Sequence, residues 1–298
     1  MKFVTYRLKT EKEPYQMGVL NHATVYDLAS LINQSEDPVL QDLNSNPDHF
    51  YTTLPEDFTI IEAALLALDY RAGFSLNEVK LGPVVTAPQK IICIGTNYKD
   101  HVLEMGHQMP EYPVLFSKFS NALIGTEDVI EGRGKTDALD YEVELAVVIG
   151  KRATEVSERN AFDYVLGYTI ANDTSARDLQ KRTPQWLQGK SLDHSTPIGP
   201  YLVTKEEVPD PENLKIQSFV NGELRQTSNT NQLIFSIAHL IAFISDLMTL
   251  EPGDIILTGT PAGVGFARDP QALLSDGDTV SMTIEKLGTL NNEVKVSR

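Results

Sequence analysis

The sequence contains one cysteine, Cys93, in 298 residues. A single thiol excludes an internal disulfide and a cysteine-based zinc site. Its place in the apolar run Ile91-Ile92-Cys93-Ile94 marks it as a buried structural thiol rather than a nucleophile. Long apolar runs are also missing: none approaches the roughly 18–20 residues of a membrane-crossing helix. The segment Met1 to Arg7 is basic but has no apolar core of a secretory signal, so a cytoplasmic protein is expected. Positive charge is in short supply, with Lys plus Arg 25 against Asp plus Glu 41 and a formal net charge of −16. Such a surface repels nucleic acid and anionic membranes. It admits a small anionic substrate only where a cation or a cluster of basic side chains reverses the field locally. Tryptophan occurs once, at Trp186, where a packing role is expected.

What is present is a pattern of many short strands with few helices, without the regular β-α-β alternation of a Rossmann sheet. The expected class is α+β, β-rich, with a mixed or mostly antiparallel sheet. Residues 1–82 read as a small N-terminal domain and 83–298 as a larger second domain, joined by the Gly/Pro-punctuated stretch Leu81 to Pro88. In the first, Phe3 to Leu8 and Tyr15 to Leu20 read as paired strands. Thr24 to Ile32 reads as a short helix capped by Thr24, and Thr59 to Tyr70 as an Ala/Leu-rich helix. In the second, Asp140 to Gly150 and Tyr164 to Asp173 read as strands, Thr174 to Gln180 as a helix start and 181–200 as irregular chain. Asn221-Gly222 is a hairpin turn, and Ser236 to Met248 is an amphipathic helix.

The Asp140 to Gly150 stretch carries the first chemistry. Glu142 and Glu144 are two apart in a strand and share a face, while Tyr141, Val143 and Leu145 face the other way. Two neighbouring carboxylates repel unless protons or a cation lie between them, and oxygen ligands suit Mg²⁺, Mn²⁺ or Ca²⁺. A solvated edge strand accounts for the same pair. Asp173 sits at a strand-to-helix junction, with Arg177 and Gln180 one helical turn apart beyond it. His101 and Glu104 are an i,i+3 pair, an arrangement shared by surface ion pairs and by a base oriented by an acid. Gly189-Lys190-Ser191 is not a phosphate loop, because Pro184 stands where such a loop needs glycine. The Gly-rich stretch Thr260 to Gly265 offers backbone N–H groups to an anion.

Taken in order, Gly95-Thr96-Asn97-Tyr98-Lys99-Asp100-His101, Asp140-Tyr141-Glu142-Val143-Glu144-Leu145-Ala146, Asn172-Asp173-Thr174-Ser175-Ala176-Arg177-Asp178, Gly189-Lys190-Ser191 with Gly199-Pro200, Asn221-Gly222 and Thr258 to Gly265 resemble the fumarylacetoacetate hydrolase superfamily, its acylpyruvase-like and dienedioate-isomerase-like members in particular. The resemblance implies a catalytic domain of β-roll or β-sandwich type, usually in a homodimer. It places a divalent cation, Mg²⁺ or Mn²⁺ with Ca²⁺ as a substitute, on Glu142, Glu144 and Asp173. It makes His101 the general base with Glu104 as its partner. Arg177, Gln180, Lys190 and Thr260 become substrate contacts, Lys190 with a catalytic part as well. The implied activity is hydrolysis of a C–C bond in a 2,4-dioxo acid of acylpyruvate type, releasing the enolate of pyruvate, with oxaloacetate decarboxylation as a second activity. Isomerisation or hydration of a hydroxymuconate-type diacid is the alternative, and a catalytically silent metal-binding scaffold is the alternative of another class.

Overall fold

A computed structural model describes residues 1–10, 14–55, 57–67, 73–132 and 134–296. Strands β1 (Lys2–Leu8) and β2 (Gln16–Asn21) pair antiparallel as the sequence suggests, and β3 (Thr24–Asp27) extends the pair. The expected helix from Thr24 is therefore corrected. Val25 is buried in the strand, and the Asp27 carboxylate accepts from the Ser30 N–H at 2.7 Å, so helix α1 (Leu28–Gln34) begins only after Asp27. Helices α2 (Pro38–Gln41) and α3 (Thr59–Ala67) follow, then β4 (Phe74–Ser75) and β5 (Val79–Leu81). The last residues of the helix expected at 59–70 lie outside the described residues.

The chain continues through β6 (Ile91–Gly95), α4 (Lys99–Glu104), β7 (Val114–Lys118), β8 (Leu123–Ile124), β9 (Val129–Glu131), β10 (Leu139–Asp140), β11 (Val143–Ile149) and β12 (Val165–Asn172). It then forms β13 (Ser175–Ala176), α5 (Arg177–Gln180), α6 (Leu187–Lys190), β14 (Thr196–Thr204), β15 (Lys215–Val220) and β16 (Glu223–Asn229). Helix α7 (Ile237–Leu247) and strands β17 (Ile255–Leu257), β18 (Thr279–Ile284) and β19 (Gly288–Lys295) complete it. Two more expectations change here. Ser175 and Ala176 pair with Asp140 and Leu139, so the helix after Asp173 starts at Arg177. The stretch 181–200 is not irregular: it holds α6 and the start of β14, which β12 and β8 hold on either side. In the first case pairing with Leu139 and Asp140 overrides the local helix signal, and in the second pairing with β12 and β8 overrides local Gly and Pro signals.

The main sheet runs β4-β3-β2-β1-β14-β12-β11-β17-β6-β7 and is mixed, since β17 and β6 are parallel. It passes unbroken across residue 82 through the β1–β14 pairing. A second sheet runs β16-β15-β18-β19-β9. The chain leaving β7 turns back to pair as β8 beside β14. The path from β14 to β7 is thereby rolled around an interior.

Strand β11 is buried on both faces, and its alternation sorts residues between two cores. Val143, Leu145, Val147 and Ile149 join one, with Tyr168, Ile241 and Met282. Ala146 and Val148 join the other, with Phe3, Leu28, Phe50 and Cys93. Glu144 shares the parity of Ala146 and Val148. Two residues of the expected 140–150 strand, Tyr141 and Glu142, fall between β10 and β11 outside regular pairing. Cys93 is fully buried, and burial, reinforced by the charges of Asp173 and Glu144, pushes its thiol well above the ordinary range. Among the described residues no helix is long and apolar enough to cross a membrane.

Candidate metal and acid–base site

The β11–β12 register sets Val143 opposite Asn172 and brings the two ends of the acidic constellation together. The Asn172 side chain accepts from the Glu142 N–H at 3.0 Å, and the Asp173 N–H donates to the Glu142 carbonyl at 2.9 Å. As a result Glu142, Glu144 and Asp173, all buried, each offer a carboxylate oxygen within 4.8 Å of the others. The solvated edge strand that the Glu-x-Glu pair also allowed is excluded by this burial.

Three buried cations surround these acids. Lys190 Nζ lies 2.8 Å from Glu142 Oε2 and 2.6 Å from Asp173 Oδ2. Lys118 Nζ donates to Asp173 Oδ1 at 2.7 Å and to the Thr174 carbonyl at 3.1 Å. Arg177 Nη2 lies 2.7 Å from Glu142 Oε1 and 2.8 Å from Asp140 Oδ2. Its Nη1 donates to Gln180 Oε1 at 3.1 Å. Arg177 and Lys190 are thus not free to serve a substrate alone, because each already holds a carboxylate of the constellation. Burial alone would raise the Glu142 carboxyl, but the charges of Lys190 and Arg177 outweigh it and hold it below the usual range. The same acids raise Lys190 and Arg177 against the opposing effect of burial.

Glu144 is different. Its Oε2 accepts the Gly259 N–H at 2.7 Å, but no ion pair involves it among the described residues. Burial, then the charges of Asp173 and Glu142, push its carboxyl well above the carboxylate range. Four buried carboxylates (Asp140, Glu142, Glu144, Asp173) face three buried cations (Lys118, Arg177, Lys190), which leaves one negative charge over. The donor set is all oxygen, converges on one point and is short of positive charge, so a hard divalent cation fits it. Such an ion turns a surplus of one negative charge into one positive charge, which suits an anionic ligand.

That surplus has a measurable consequence. Below the ordinary carboxyl pKa of 4.5, Glu144 is protonated in folded and unfolded chain alike. As pH rises the unfolded chain gives up this proton first, so the metal-free protein loses stability until the folded carboxyl also ionises. Glu144→Gln keeps the shape and cannot ionise. Its melting temperature without metal is expected to exceed the wild-type value by a margin that grows as pH rises above the ordinary carboxyl pKa of 4.5, while its divalent-cation affinity falls. A margin independent of pH in thermal melts would contradict the assignment.

His101 and Glu104 sit on α4, whose start is pinned by Asn97: its amide donates to the Thr258 carbonyl at 2.8 Å and accepts from the Phe235 N–H at 2.8 Å. His101 Nδ1 lies 3.1 Å from Glu104 Oε2. Glu104 Oε1 in turn accepts the Gly263 N–H at 2.8 Å. Three glycine N–H groups in and beside the Gly-rich loop are therefore spent on carboxylates of the chain itself: Gly259 on Glu144, Gly263 on Glu104, Gly265 on Asp140. Glycine is required at the first two, where φ is +103° and +107° and a Cβ would stand 2.8 Å from Asn97 Cβ and 2.2 Å from the Arg225 carbonyl.

A cavity of about 280 Å³ opens onto this centre. His101, Glu142, Glu144, Arg177, Gln180, Lys190 and Thr260 line it, so seven of the nine residues expected at the site meet there. Glu104 and Asp173 stand behind, each holding a side chain that does line it. Thr260 donates to the Val143 carbonyl at 2.9 Å and accepts from Gln226 at 2.7 Å. Trp186, expected only to pack, lines the cavity edge-on to Phe116 with ring centroids 5.3 Å apart. Sequence reasoning missed Lys118 and Asp140. A lysine ending an otherwise apolar strand segment was the available signal for the first; nothing local distinguished the second.

The family model for the fumarylacetoacetate (FAA) hydrolase C-terminal region matches residues 90–295. Oxaloacetate tautomerase YisK of Bacillus subtilis is 50% identical over 225 residues, 74% of this chain and 75% of that protein. The crystal structure of fumarylacetoacetate hydrolase from psychrophilic Exiguobacterium antarcticum superposes with a TM-score of 0.83 at 34% identity, covering 99% of both chains. That of maleylpyruvate hydrolase from Sphingobium sp. SYK-6, in complex with manganese(II) and pyruvate, gives 0.77 at 30% identity, covering 100% of this chain and 99% of the other.

Proposed function

The chain belongs to the fumarylacetoacetate hydrolase family, and from that premise we propose that it interconverts the enol and keto forms of a 2-oxo acid, with oxaloacetate the first substrate to test. The observation that carries this reading is that His101, oriented by Glu104, lines the same small cavity as Glu142 and Glu144. The 50% identity to a protein named for oxaloacetate tautomerisation supports it over the C–C hydrolysis that the sequence alone puts first.

Held by Glu142, Glu144 and Asp173, Mg²⁺ or Mn²⁺ would supply Lewis-acid polarisation of the keto oxygen. The rest falls to side chains. Glu104 occupies Nδ1 of His101, which leaves Nε2 for the substrate and steadies the imidazolium when it forms. In the keto-to-enol direction Nε2 takes a proton from C3. The C–H electron pair becomes the C2–C3 double bond, the carbonyl pair moves to the C2 oxygen, that oxygen takes a proton from water, and the hydroxide left behind recovers the proton from the His101 imidazolium. The reverse sequence returns the keto acid. Lys190 and Arg177 give the substrate's anionic head a positive field, and Gln180 and Thr260 border it.

Acylpyruvate hydrolysis is the second reading, favoured by the likeness to the maleylpyruvate hydrolase structure. It asks His101 to deprotonate a water instead of a carbon. Product analysis separates the two. With oxaloacetate and Mg²⁺ the chain is expected to speed loss of the enol's ultraviolet absorbance without releasing pyruvate. Cleavage of acetylpyruvate at a higher kcat/KM would move the assignment to hydrolysis. Turnover of neither would remove both.

A further inference from the structure

We propose that Lys181 binds the distal carboxylate of the substrate, so that the site selects dicarboxylic 2-oxo acids over those with a neutral tail. The inference rests on the tautomerase reading and names the residue that sets its substrate class.

Of the cations lining the cavity, Arg177 and Lys190 are each held by two carboxylates at 2.6–2.8 Å. Lys181 is held by none among the described residues. It lies at the C-terminal end of α5, four residues and one helical turn beyond Arg177, exposed at the cavity. Its ammonium stands 3.5 Å from the centroid of the Phe266 ring, and the Arg177 guanidinium lies 5.9 Å from the same centroid. Phe266 is fixed in turn, because its N–H donates to Asp140 Oδ2 at 3.0 Å. A cation resting on an aromatic face is weakly restrained and can turn to an arriving anion. In a chain of net charge −16, a lysine without an acid partner beside a cavity is a local reversal of the field. The same lining includes the apolar side chains of Ile94, Phe116, Pro184 and Trp186. A second negative charge on the substrate therefore has one unpaired ammonium to meet. His107 is the other uncommitted basic side chain of this lining.

The test compares oxaloacetate with its 4-methyl ester, which keeps the skeleton and neutralises the tail. In Lys181→Met the ratio of the two kcat/KM values is expected to fall about tenfold, the loss of one charge-assisted contact, and Lys181→Arg is expected to restore most of it. A turnover-free arm measures calorimetric binding of L-malate and L-lactate, which share a hydroxy acid head and differ in the tail carboxylate, to the Mg²⁺-loaded protein. Wild type is expected to prefer malate and Lys181→Met to lose that preference. If neither oxaloacetate nor its ester turns over but the malate preference still depends on Lys181, the tautomerase reading fails and the tail assignment stands. No malate preference in wild type, a preference intact in Lys181→Met, or one abolished only by His107→Gln overturns the proposal.

Discussion

Replacing His101 by alanine is expected to slow enol–keto interconversion by about 10²–10⁴-fold, the usual worth of a positioned general base. Divalent-cation affinity is expected to stay within about twofold, because no carboxylate is removed. The His101 imidazole is the base in the lining that an acid, Glu104, orients: Lys190 and Arg177 are held protonated by their acids, Glu142 and Glu144 are candidate metal ligands, and Lys181 and His107 have no acid partner among the described residues. Removing it therefore separates chemistry from metal binding. Glu104 contacts His101 Nδ1 and the Gly263 N–H and does not line the cavity. Glu104→Gln should thus cost less rate than the histidine change and should shift the pH profile. Near-wild-type rates in His101→Ala, with metal bound, would leave the acid–base assignment without support.

The second large effect is on stability. Lys118→Met is expected to cost about 3–5 kcal/mol, the usual result of removing one partner of a fully buried ion pair. Lys118 and Asp173 are both 0% exposed at the side chain, 2.7 Å apart. Without Lys118, four buried carboxylates face two cations, so the surplus grows from one negative charge to two. The same change should draw a divalent cation more strongly. Saturating Mg²⁺ is expected to raise the melting temperature of Lys118→Met more than that of wild type, through preferential binding to the folded state. Equal metal-induced shifts would mean that Lys118 is not electrically part of the centre. A melting temperature close to wild type would mean that the pair contributes little.

These two predictions differ in how far the sequence could foresee them. His101, Glu104, Glu142, Glu144 and Asp173 each sit in a short local pattern, but a surface ion pair and a solvated edge strand share those patterns, and only the ordered resemblance to the fumarylacetoacetate hydrolase superfamily singled them out as a site. The Gly-rich loop was legible as an anion site, but its anions proved to be the protein's own carboxylates. Lys118 was invisible. Its partner lies 55 residues away and is reached only because β7 and β8 bring the chain back beside β14. Asp140 was read as part of a strand, whereas its use depends on Arg177 and on two N–H groups from 265 and 266. The same non-local pairing drew 196–200 into β14 against their Gly and Pro content. The reaction itself was the least legible. One metal site and one histidine would support hydrolysis, decarboxylation and tautomerisation alike: His101 would take a proton from water in the first and from C3 in the last, whereas in decarboxylation CO₂ leaves and no proton is taken.

The central claim is that three buried carboxylates and His101 form one centre acting on a 2-oxo acid. It is tested most directly by titrating chelator-treated protein with Mg²⁺ while following enol loss from oxaloacetate, with wild type and His101→Ala side by side. A saturable, metal-dependent rise in rate is expected for wild type, and none for His101→Ala although it binds the same metal. Wild-type enol loss that is equally fast in chelator, or a His101→Ala rate that climbs with metal as wild type does, would contradict it.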